Sequence, residues 1–308
     1  MAGSPEAVRK STGSTLKERF LIGLMRAVSR LPLSTSQNIG RLFSYGILKI
    51  PNKQRRNALI NIRLCLPGLT TEEALSFRAR SLRENGKTYF EIARLLLRPA
   101  DEVLSLVRRV SGGELLQRED GRGVIVLSPH LGAWELAGLY LSSLGPTTTL
   151  YKPQPVLDSV ILQSRARKGA SLVPTNALGI RRLMEALKRG EYVGILPDQE
   201  PKGDRGAVFA PFFGFPAFTM LLVSRLARKT GARVVFMFAE RLPGGKGFDI
   251  HCLPAPAGID SDDDLEAATA LNAGVEQCVR ICAEQYIWPY KRFRNRPDGQ
   301  PKVYLGPL

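Results

Sequence analysis

One histidine and one glutamate stand close together in a segment whose surroundings suit catalysis. His130 follows the apolar run 124–127 and a Ser-Pro dipeptide, and Glu135 comes shortly after it. A histidine at the carboxyl end of a buried strand, oriented by a carboxylate in the next helix, can remove a proton from a substrate hydroxyl. The sequence therefore predicts His130 as a general base and Glu135 as its orienting partner. A structural histidine is the alternative that this spacing alone leaves open.

Gly132 lies between these two residues. We expect it to let a substrate approach the backbone closely, because glycine has no side chain to obstruct it. Amide groups at the start of the following helix are expected to face a developing oxyanion. A covalent serine intermediate is not required by this arrangement.

The elements that must position these residues follow an alternating pattern. Short apolar or β-branched runs, typical of buried strands, occur at 124–127, 147–151, 192–196, 234–238 and 248–253. Helical patterns separate them near 133–143, 155–168, 178–189 and 218–230, and a last helix is predicted after the acidic run 260–264. The pattern predicts an α/β fold with a mixed β-sheet flanked by helices. Sites in such folds lie at the carboxyl ends of strands, which favours His130 as a functional residue.

The sequence of the first hundred residues predicts helices. Thr70 and Glu73 form a capping box that opens a helix to about residue 85, and 87–97 resembles another helix. Nearer the amino terminus, one helix face is apolar and the opposite face is basic, through Leu21, Leu24, Met25 and Val28 against Arg19, Arg26 and Arg30. Such a helix can lie in a lipid interface. An ordinary helix packed on its own domain is the alternative.

Three regions are therefore predicted along the chain. Residues 1–15 are polar and are expected to be disordered, 16–100 to form a helical membrane-associating region, and 101–308 to form the α/β catalytic domain. Charged residues and a proline interrupt 16–49, so no spanning helix is expected there, and no secretory signal is visible.

Charge is concentrated at the two ends of the chain. The formal net charge is +16, and residues 1–100 contribute 18 basic against 6 acidic side chains. This distribution argues against a nucleic-acid binder, which usually spreads basic residues along its groove or interleaves them with aromatic residues. It favours an anionic membrane surface as partner. A solvated face that confers solubility is the alternative.

Metal binding is not expected. The four cysteines show no C-x-x-C pair, and the chain has only two histidines to complete a zinc site. The acidic run 260–264 lacks the glycine and the glutamate of a calcium loop, and it is interpreted as a loop and helix cap. Cysteine usage is typical of a cytosolic or cytosol-facing protein.

Several blocks in order resemble one family. They are 128–135 (SPHLGAWE), 151–153 (YKP), 165–169 (RARKG), 197–201 (PDQEP) with 208–214 (VFAPFFG), and 285–288 (QYIW) with the basic residues that follow. The first block resembles the His-x4-Asp/Glu motif of bacterial lipid A late acyltransferases, the lauroyl/myristoyl group of the lysophospholipid acyltransferase superfamily. The resemblance covers roughly residues 16–308.

This resemblance implies a reaction and its partners. A fatty acyl chain would pass from acyl carrier protein to a hydroxyl of an acylated lipid A precursor, at the cytoplasmic face of the inner membrane. The resemblance also implies that His130 is the general base and Glu135 its partner, and that no metal or organic cofactor takes part. An acidic carrier protein would be attracted to a basic surface.

The later blocks supply candidate substrate-binding residues. Four residues have cations suited to the phosphates of a disaccharide lipid, although each could be a surface charge: Lys152, Arg165, Arg167 and Lys168. Asp198 and Gln199 follow the strand 192–196 and are expected at the same sheet edge as His130, with a polar turn as the alternative. The phenylalanine-rich stretch 206–224 is expected either to line an acyl groove, to enter lipid or to pack in the core.

Two rival functions stay open from the sequence. An acyltransferase could use another lipid acceptor, such as a lysophospholipid or an aminolipid. A non-catalytic membrane-binding protein on the same fold is the more distant rival, and the presence of both His130 and Glu135 counts against it.

Overall fold

The structure is a computed structural model that describes residues 16–118, 121–154, 157–201, 203 and 206–305. The segment 1–15, expected to be disordered, lies outside the described residues.

Ten α-helices and nine β-strands are present in the described residues. The helices are α1 Leu16–Ser29, α2 Leu33–Lys49, α3 Lys53–Cys65, α4 Thr71–Leu97, α5 Ala100–Leu104, α6 Trp134–Leu144, α7 Asp158–Arg165, α8 Ala177–Lys188, α9 Leu222–Thr230 and α10 Asp264–Ile281. The strands are β1 Val107–Ser111, β2 Val124–Leu127, β3 Thr147–Tyr151, β4 Ser171–Pro174, β5 Tyr192–Ile195, β6 Ala207–Phe212, β7 Phe215–Met220, β8 Arg233–Arg241 and β9 Phe248–Pro254.

Seven strands form one mixed sheet in the order β1-β9-β8-β2-β5-β3-β4. Every neighbouring pair is parallel except β8 and β9, which run antiparallel. All five strands predicted from apolar runs are present, and the expected mixed α/β fold is confirmed. The sequence did not reveal β1 or β4, the two edge strands, because neither is buried along its whole length.

Helices cover both faces of this sheet, and each face has its own apolar core. Val126 and Met237 pack on one face with α6, whereas Ile125 and Phe236 pack on the other face with α8, α9 and α10. The central strand β2 is buried on both faces, which explains its continuous apolar sequence. The sheet is therefore a rigid support for whatever follows the carboxyl end of β2.

The phenylalanine-rich stretch forms a separate antiparallel hairpin of β6 and β7. Phe213 and Gly214 occupy its turn, and both have positive φ, as a tight hairpin turn requires. Phe212 is buried against Phe293 and Tyr286, so packing in the core is the outcome for this ring. The helix expected from residue 218 begins instead at Leu222, because 215–220 pairs as a strand.

The amino-terminal helices pack around α4, which is one continuous helix rather than the two predicted. The capping box is present: Glu73 N donates to Thr70 Oγ1 at 3.2 Å, and Thr70 N donates to Glu73 Oε2 at 2.8 Å. Arg241 from β8 makes an ion pair with Glu91 of α4 in the interior, which ties the helices to the sheet. No helix among the described residues has the length and apolar character needed to span a membrane.

Candidate active site

The site is built where two neighbouring parallel strands end. Leu127 of β2 pairs with Ile195 of β5, and the chain then continues for the same number of residues on each strand to reach His130 and Asp198. Equal register brings these two side chains to one point on the carboxyl edge of the sheet. The prediction that the Asp198 segment and His130 share an edge is confirmed.

Asp198 holds His130 through two contacts. Its Oδ1 lies 2.8 Å from the imidazole Nδ1, and its Oδ2 accepts a hydrogen bond of 2.9 Å from the backbone N–H of His130. Burial of Asp198, which is 2% exposed, raises its pKa. The charge and hydrogen bonds of His130 outweigh that effect, so the pKa of the carboxyl lies below its usual value. Asp198 therefore stays ionised, with Nδ1 as the donor in this pair.

Gln199 contacts the other ring nitrogen. Its Nε2 lies 3.2 Å from His130 Nε2. Because Nδ1 carries the proton that Asp198 accepts, Nε2 is free to accept a hydrogen bond from the Gln199 amide. The imidazole is thus held in the tautomer that a general base needs, with its basic nitrogen towards Gln199.

Glu135 has a different partner from the one predicted. Both of its carboxylate oxygens accept hydrogen bonds from Arg165 on α7, at 2.6 Å from Nη2 and 3.1 Å from Nε. The imidazole is instead oriented by Asp198, so the predicted pairing of His130 with Glu135 requires correction. The reason is geometric: Glu135 lies in the first turn of α6, and its side chain reaches across to α7.

The chain matches a family model described as bacterial lipid A biosynthesis acyltransferase over residues 10–295. It is 29% identical to the lipid A biosynthesis lauroyltransferase of Escherichia coli K12 over 290 residues, which cover 92% of this chain and 93% of that protein. The lipid A biosynthesis palmitoleoyltransferase of the same strain is 29% identical over an alignment that covers 84% of this chain and 86% of that protein. The lipid A biosynthesis myristoyltransferase of the same strain is 27% identical, and the alignment covers 83% of this chain and 80% of that protein.

The chain belongs to the bacterial lipid A biosynthesis acyltransferase family. The resemblance seen in the ordered sequence blocks is therefore confirmed, and acyl transfer in lipid A biosynthesis is the activity that the family supports. In this member, the histidine of the His-x4-Glu motif and the Asp-Gln dipeptide of a later block meet at one sheet edge.

Arg167 was predicted to hold a phosphate, but its guanidinium donates hydrogen bonds to three backbone carbonyl groups. Nε donates to Ser164 O at 2.9 Å, Nη2 donates to Leu95 O at 2.5 Å, and Nη1 donates to Arg98 O. Burial lowers the pKa of this guanidinium. Arg167 therefore satisfies carbonyl groups at the end of α4, where a helix leaves them unpaired. A phosphate would have to compete with three carbonyl oxygens.

The other predicted cations are spread around this region. Arg165 is paired with Glu135 and lies over the ring of Tyr151. Lys152 is exposed at the end of β3, and Lys168 makes an ion pair of 2.6 Å with the exposed Asp101. Arg165 and Arg167 line the same cavity between the sheet, α6 and α7, whereas Lys152 and Lys168 are not among its lining residues.

Gly132 serves the packing of the candidate catalytic loop, residues 128–133 between β2 and α6. Its φ is +60°, and a Cβ at this position would lie 2.0 Å from Ala239 O of β8. The N–H groups of Gly132 and Ala133 donate to Gln285 O and Ala239 O, so neither amide is available to a substrate oxyanion. The expectation of close substrate approach at Gly132 is wrong, because a neighbouring strand occupies that space.

The closing block, residues 285–288, holds the loop that carries His130, and sequence reasoning missed this contact. Ile287 N donates to His130 O, and Leu131 forms a β-bridge with Tyr286. Burial raises the pKa of Tyr286 well above its usual value, and the Asp198 charge raises it further. The order of these blocks along the chain gave no signal of this contact, since more than a hundred residues separate them. In the described residues, no three His, Cys, Asp or Glu side chains form a metal-binding group.

Proposed function

We propose that the protein transfers a fatty acyl chain from acyl carrier protein to a hydroxyl group of an acylated lipid A precursor, with His130 as general base and Asp198 as its carboxylate partner. Membership of the family supports acyl transfer onto lipid A. The observation that carries the mechanism is the contact of 2.8 Å between His130 Nδ1 and Asp198 Oδ1.

The proposed reaction has two stages. His130 Nε2 removes the proton of the acceptor hydroxyl while the oxygen attacks the carbonyl carbon of the thioester, and Asp198 stabilises the imidazolium that results. Collapse of the tetrahedral intermediate breaks the bond between carbon and sulfur. The imidazolium then returns its proton to the departing sulfur, so His130 leaves the cycle unchanged. The thioester is already activated, so positioning supplies much of the acceleration.

Gln199 has a role that follows from its contact with Nε2. The acceptor hydroxyl must take the place of the Gln199 amide to reach the base, because Nε2 has one lone pair. Before the acceptor arrives, the amide donates a hydrogen bond to that lone pair and prevents a water molecule from donating to it. Gln199 is therefore proposed to favour transfer over hydrolysis of the donor.

Glu135 is proposed to act through Arg165. The bidentate pair joins the first turn of α6 to the end of α7, beside the catalytic loop. Bidentate geometry fixes both side chains more firmly than a single hydrogen bond does. Loss of Glu135 would free the Arg165 cation and loosen the two helices that flank the site.

The test of this function is transfer by the purified full chain. Acyl carrier protein loaded with a labelled acyl chain is mixed with a lipid A precursor that still has a free hydroxyl, and the product is identified by mass spectrometry. A mass increase equal to one acyl group is expected for the native chain and not for His130→Ala. A lysophospholipid or an aminolipid tested in parallel measures the rival acceptors, and faster transfer to either would overturn the proposed substrate.

Location at the cytoplasmic face of the inner membrane is part of the proposal. Helices α1 and α2 leave large apolar side chains exposed, among them Phe20, Leu24, Leu42 and Phe43. Arg26 and Arg41 on the same helices are also exposed. Apolar side chains that insert into lipid, together with cations that attract anionic headgroups, are typical of a helix that lies in the membrane interface.

Vesicle binding tests this location. The full chain should sediment with vesicles that contain anionic phospholipid and should release in part at high salt, which screens the charges. Phe20→Asp with Leu24→Asp should weaken the binding, whereas Leu265→Asp, at another exposed apolar position, should not. Equal binding of all three proteins would contradict this mode of attachment.

A further inference from the structure

One arginine in the amino-terminal helices is buried without a partner. Arg78 lies on α4 and is only 9% exposed. Its Nε is fully buried and has no hydrogen-bond partner in the described residues. A guanidinium is charged at neutral pH and has five N–H groups to donate, so its burial without a partner is costly. A cation in this position is expected to have an anion beside it.

Arg78 faces α3 across the pair of helices that α3 and α4 form. Ala74 and Leu82, one turn before and one turn after Arg78, pack in the same apolar core as Ile62 of α3. Residues four apart share a helix face, so Arg78 lies on the face that α3 covers. Helices joined by a turn as short as 66–70 run antiparallel, which places Arg78 opposite the middle of α3.

The charges next to Arg78 have the same sign as its own. Arg55 and Arg63 lie on α3, on either side of the position opposite Arg78, and α3 contains no acidic residue. Burial lowers the pKa of the Arg78 guanidinium, and the charges of Arg55 and Arg63 lower it further. The three guanidinium groups therefore repel one another across the boundary between the two helices.

The carboxylates of α4 do not compensate these charges. Glu73 belongs to the capping box, whereas Glu84 and Glu91 both pair with Arg241. Glu72, the remaining acid of this helix, is exposed in its first turn. No carboxylate in the part of the chain that the structure describes forms an ion pair with the buried arginine. The compensating anion therefore has to come from outside these residues.

The arginines lie next to the surface that is proposed to contact lipid. Helix α2, which exposes Leu42 and Phe43, packs along α4 and ends at Lys49. Ile50, between α2 and α3, is also exposed. Arg55 follows in the first turn of α3, where the helix dipole adds positive potential. An anion held between α3 and α4 would therefore lie beside the lipid surface, where headgroup phosphates are present.

We propose that Arg78, Arg55 and Arg63 form a binding site for the phosphate group of an anionic lipid. The buried guanidinium of Arg78 donates to the phosphate oxygens, and the two arginines of α3 supply the surrounding charge. Guanidinium groups match phosphate geometry through paired hydrogen bonds, and a phosphate cancels the charge that a water molecule would leave. Membrane phospholipids and the phosphorylated lipid A precursor share this chemistry. The site therefore does not depend on which acceptor hydroxyl is acylated.

The lack of compensation can be tested without a ligand. In low-salt, phosphate-free buffer with a neutral detergent, Arg78→Met should raise the midpoint of thermal unfolding, because it removes an unpaired buried charge and keeps a long apolar side chain. Arg80→Met is the matched control. It removes the same charge two residues away, from an exposed pair with Glu284, and should leave the midpoint nearly unchanged. A midpoint below that of the native chain for Arg78→Met would overturn the unpaired cation.

Lipid binding is measured by titration of the same midpoint in mixed micelles. The probes are phosphatidylglycerol, a phosphorylated lipid A precursor, its dephosphorylated form, and inorganic phosphate. At a concentration about a hundredfold above Kd, a phosphorylated lipid should raise the midpoint of the native chain by about 5 °C. The dephosphorylated form should not.

The variants separate the site from general surface charge. Arg78→Met should weaken the affinity for phosphorylated lipid by roughly 10- to 100-fold, the value of a charge-assisted hydrogen bond, and Arg78→Lys should restore it in part. Arg63→Gln, at an exposed position that does not endanger folding, should weaken it about threefold. Arg80→Met should bind as the native chain does.

Each outcome bears on the site or on the source of the phosphate. A larger shift with phosphatidylglycerol supports a membrane phospholipid as the ligand, and a larger shift with the precursor supports the acceptor. No shift with any phosphorylated lipid, or an equal loss in Arg78→Met and Arg80→Met, would overturn the site. A shift with inorganic phosphate that neither lipid exceeds would overturn a lipid as its ligand. None of these measurements uses acyl transfer, so failure of the proposed function would leave their interpretation unchanged.

Discussion

Two carboxylates near the proposed general base, Asp198 and Glu135, have different partners. Asp198 comes from a distant part of the chain and contacts both the ring and the backbone of His130. Glu135 belongs to the same motif as His130, yet it holds Arg165 on the next helix. The register of two parallel strands therefore decides which carboxylate meets the imidazole. Nearness in the sequence does not.

Removal of the base or of its buried partner should have the largest effect. His130→Ala should lower the rate of transfer by roughly 10²–10⁴, the usual contribution of general-base catalysis. Asp198→Asn should cost about as much, because an amide favours the wrong imidazole tautomer and stabilises the imidazolium poorly. Steady-state kinetics should show the loss in kcat. A smaller loss for Asp198→Asn than for Glu135→Gln would reverse the assignment of the two carboxylates.

Glu135 should be coupled to Arg165 and not to His130. Glu135→Gln should reduce the free energy of unfolding by about 2 kcal/mol, because it leaves a half-buried guanidinium without its partner. A double-mutant cycle with Arg165→Met should show a coupling of about 1 kcal/mol or more, measured by denaturant unfolding. The corresponding cycle with His130→Ala should be additive. Coupling of Glu135 to His130, without coupling to Arg165, would support the pairing of His130 with Glu135 that the His-x4-Glu motif suggests.

Arg167 should stabilise the end of α4 and should not hold a phosphate of the acceptor. Arg167→Met should destabilise the fold by about 1–2 kcal/mol, since carbonyl groups at the end of α4 lose their donor. Lys168→Met is the control, because its partner Asp101 is exposed and such pairs contribute about 0–1 kcal/mol. Transfer to phosphorylated and dephosphorylated acceptors should fall by the same factor in Arg167→Met. A selective loss on the phosphorylated acceptor would show a phosphate contact instead.

Gln199 should have a modest effect on rate and a clear effect on the product. A single neutral hydrogen bond is worth about 1 kcal/mol, so Gln199→Ala should change the rate of transfer roughly fivefold. The fraction of donor lost to water should rise, as measured by free fatty acid released per acyl group transferred. Gln154→Ala, at an exposed position outside the site, should leave that ratio unchanged. An unaltered ratio in Gln199→Ala would exclude the protective role.

The smallest effect concerns acid stability. The pKa of Asp198 is lower in the folded protein than in the unfolded chain, where it is about 3.9. A depressed carboxyl pKa stabilises the fold above the unfolded value, and the stabilisation is lost as pH falls through the folded value. The difference in unfolding free energy between the native chain and Asp198→Asn should therefore shrink below about pH 4. A difference that grows in acid would contradict the direction of the shift.

The sequence predicted the sheet better than it predicted contacts at the site. The run 124–127 was recognisable as a strand because a fully buried strand must be apolar throughout. The hairpin was missed because proline is rare inside strands, yet Pro211 and Pro216 pair opposite each other in a two-stranded ribbon. The partner of His130 was missed for another reason. Composition and spacing do not report that β5 lies beside β2, and the partnership of His130 with Asp198 depends on that adjacency.

The hydrogen bonds between the catalytic loop and the closing block determine when this loop can form during synthesis. Gly132 N donates to Gln285 O and Ile287 N donates to His130 O, so the loop is joined to residues 285–287. During synthesis the loop meets these partners only after residue 287 has left the ribosome. Contacts so distant in sequence also close slowly, because a long chain must be ordered first. Formation of the bridged catalytic loop is thereby linked to synthesis of the chain through residue 287.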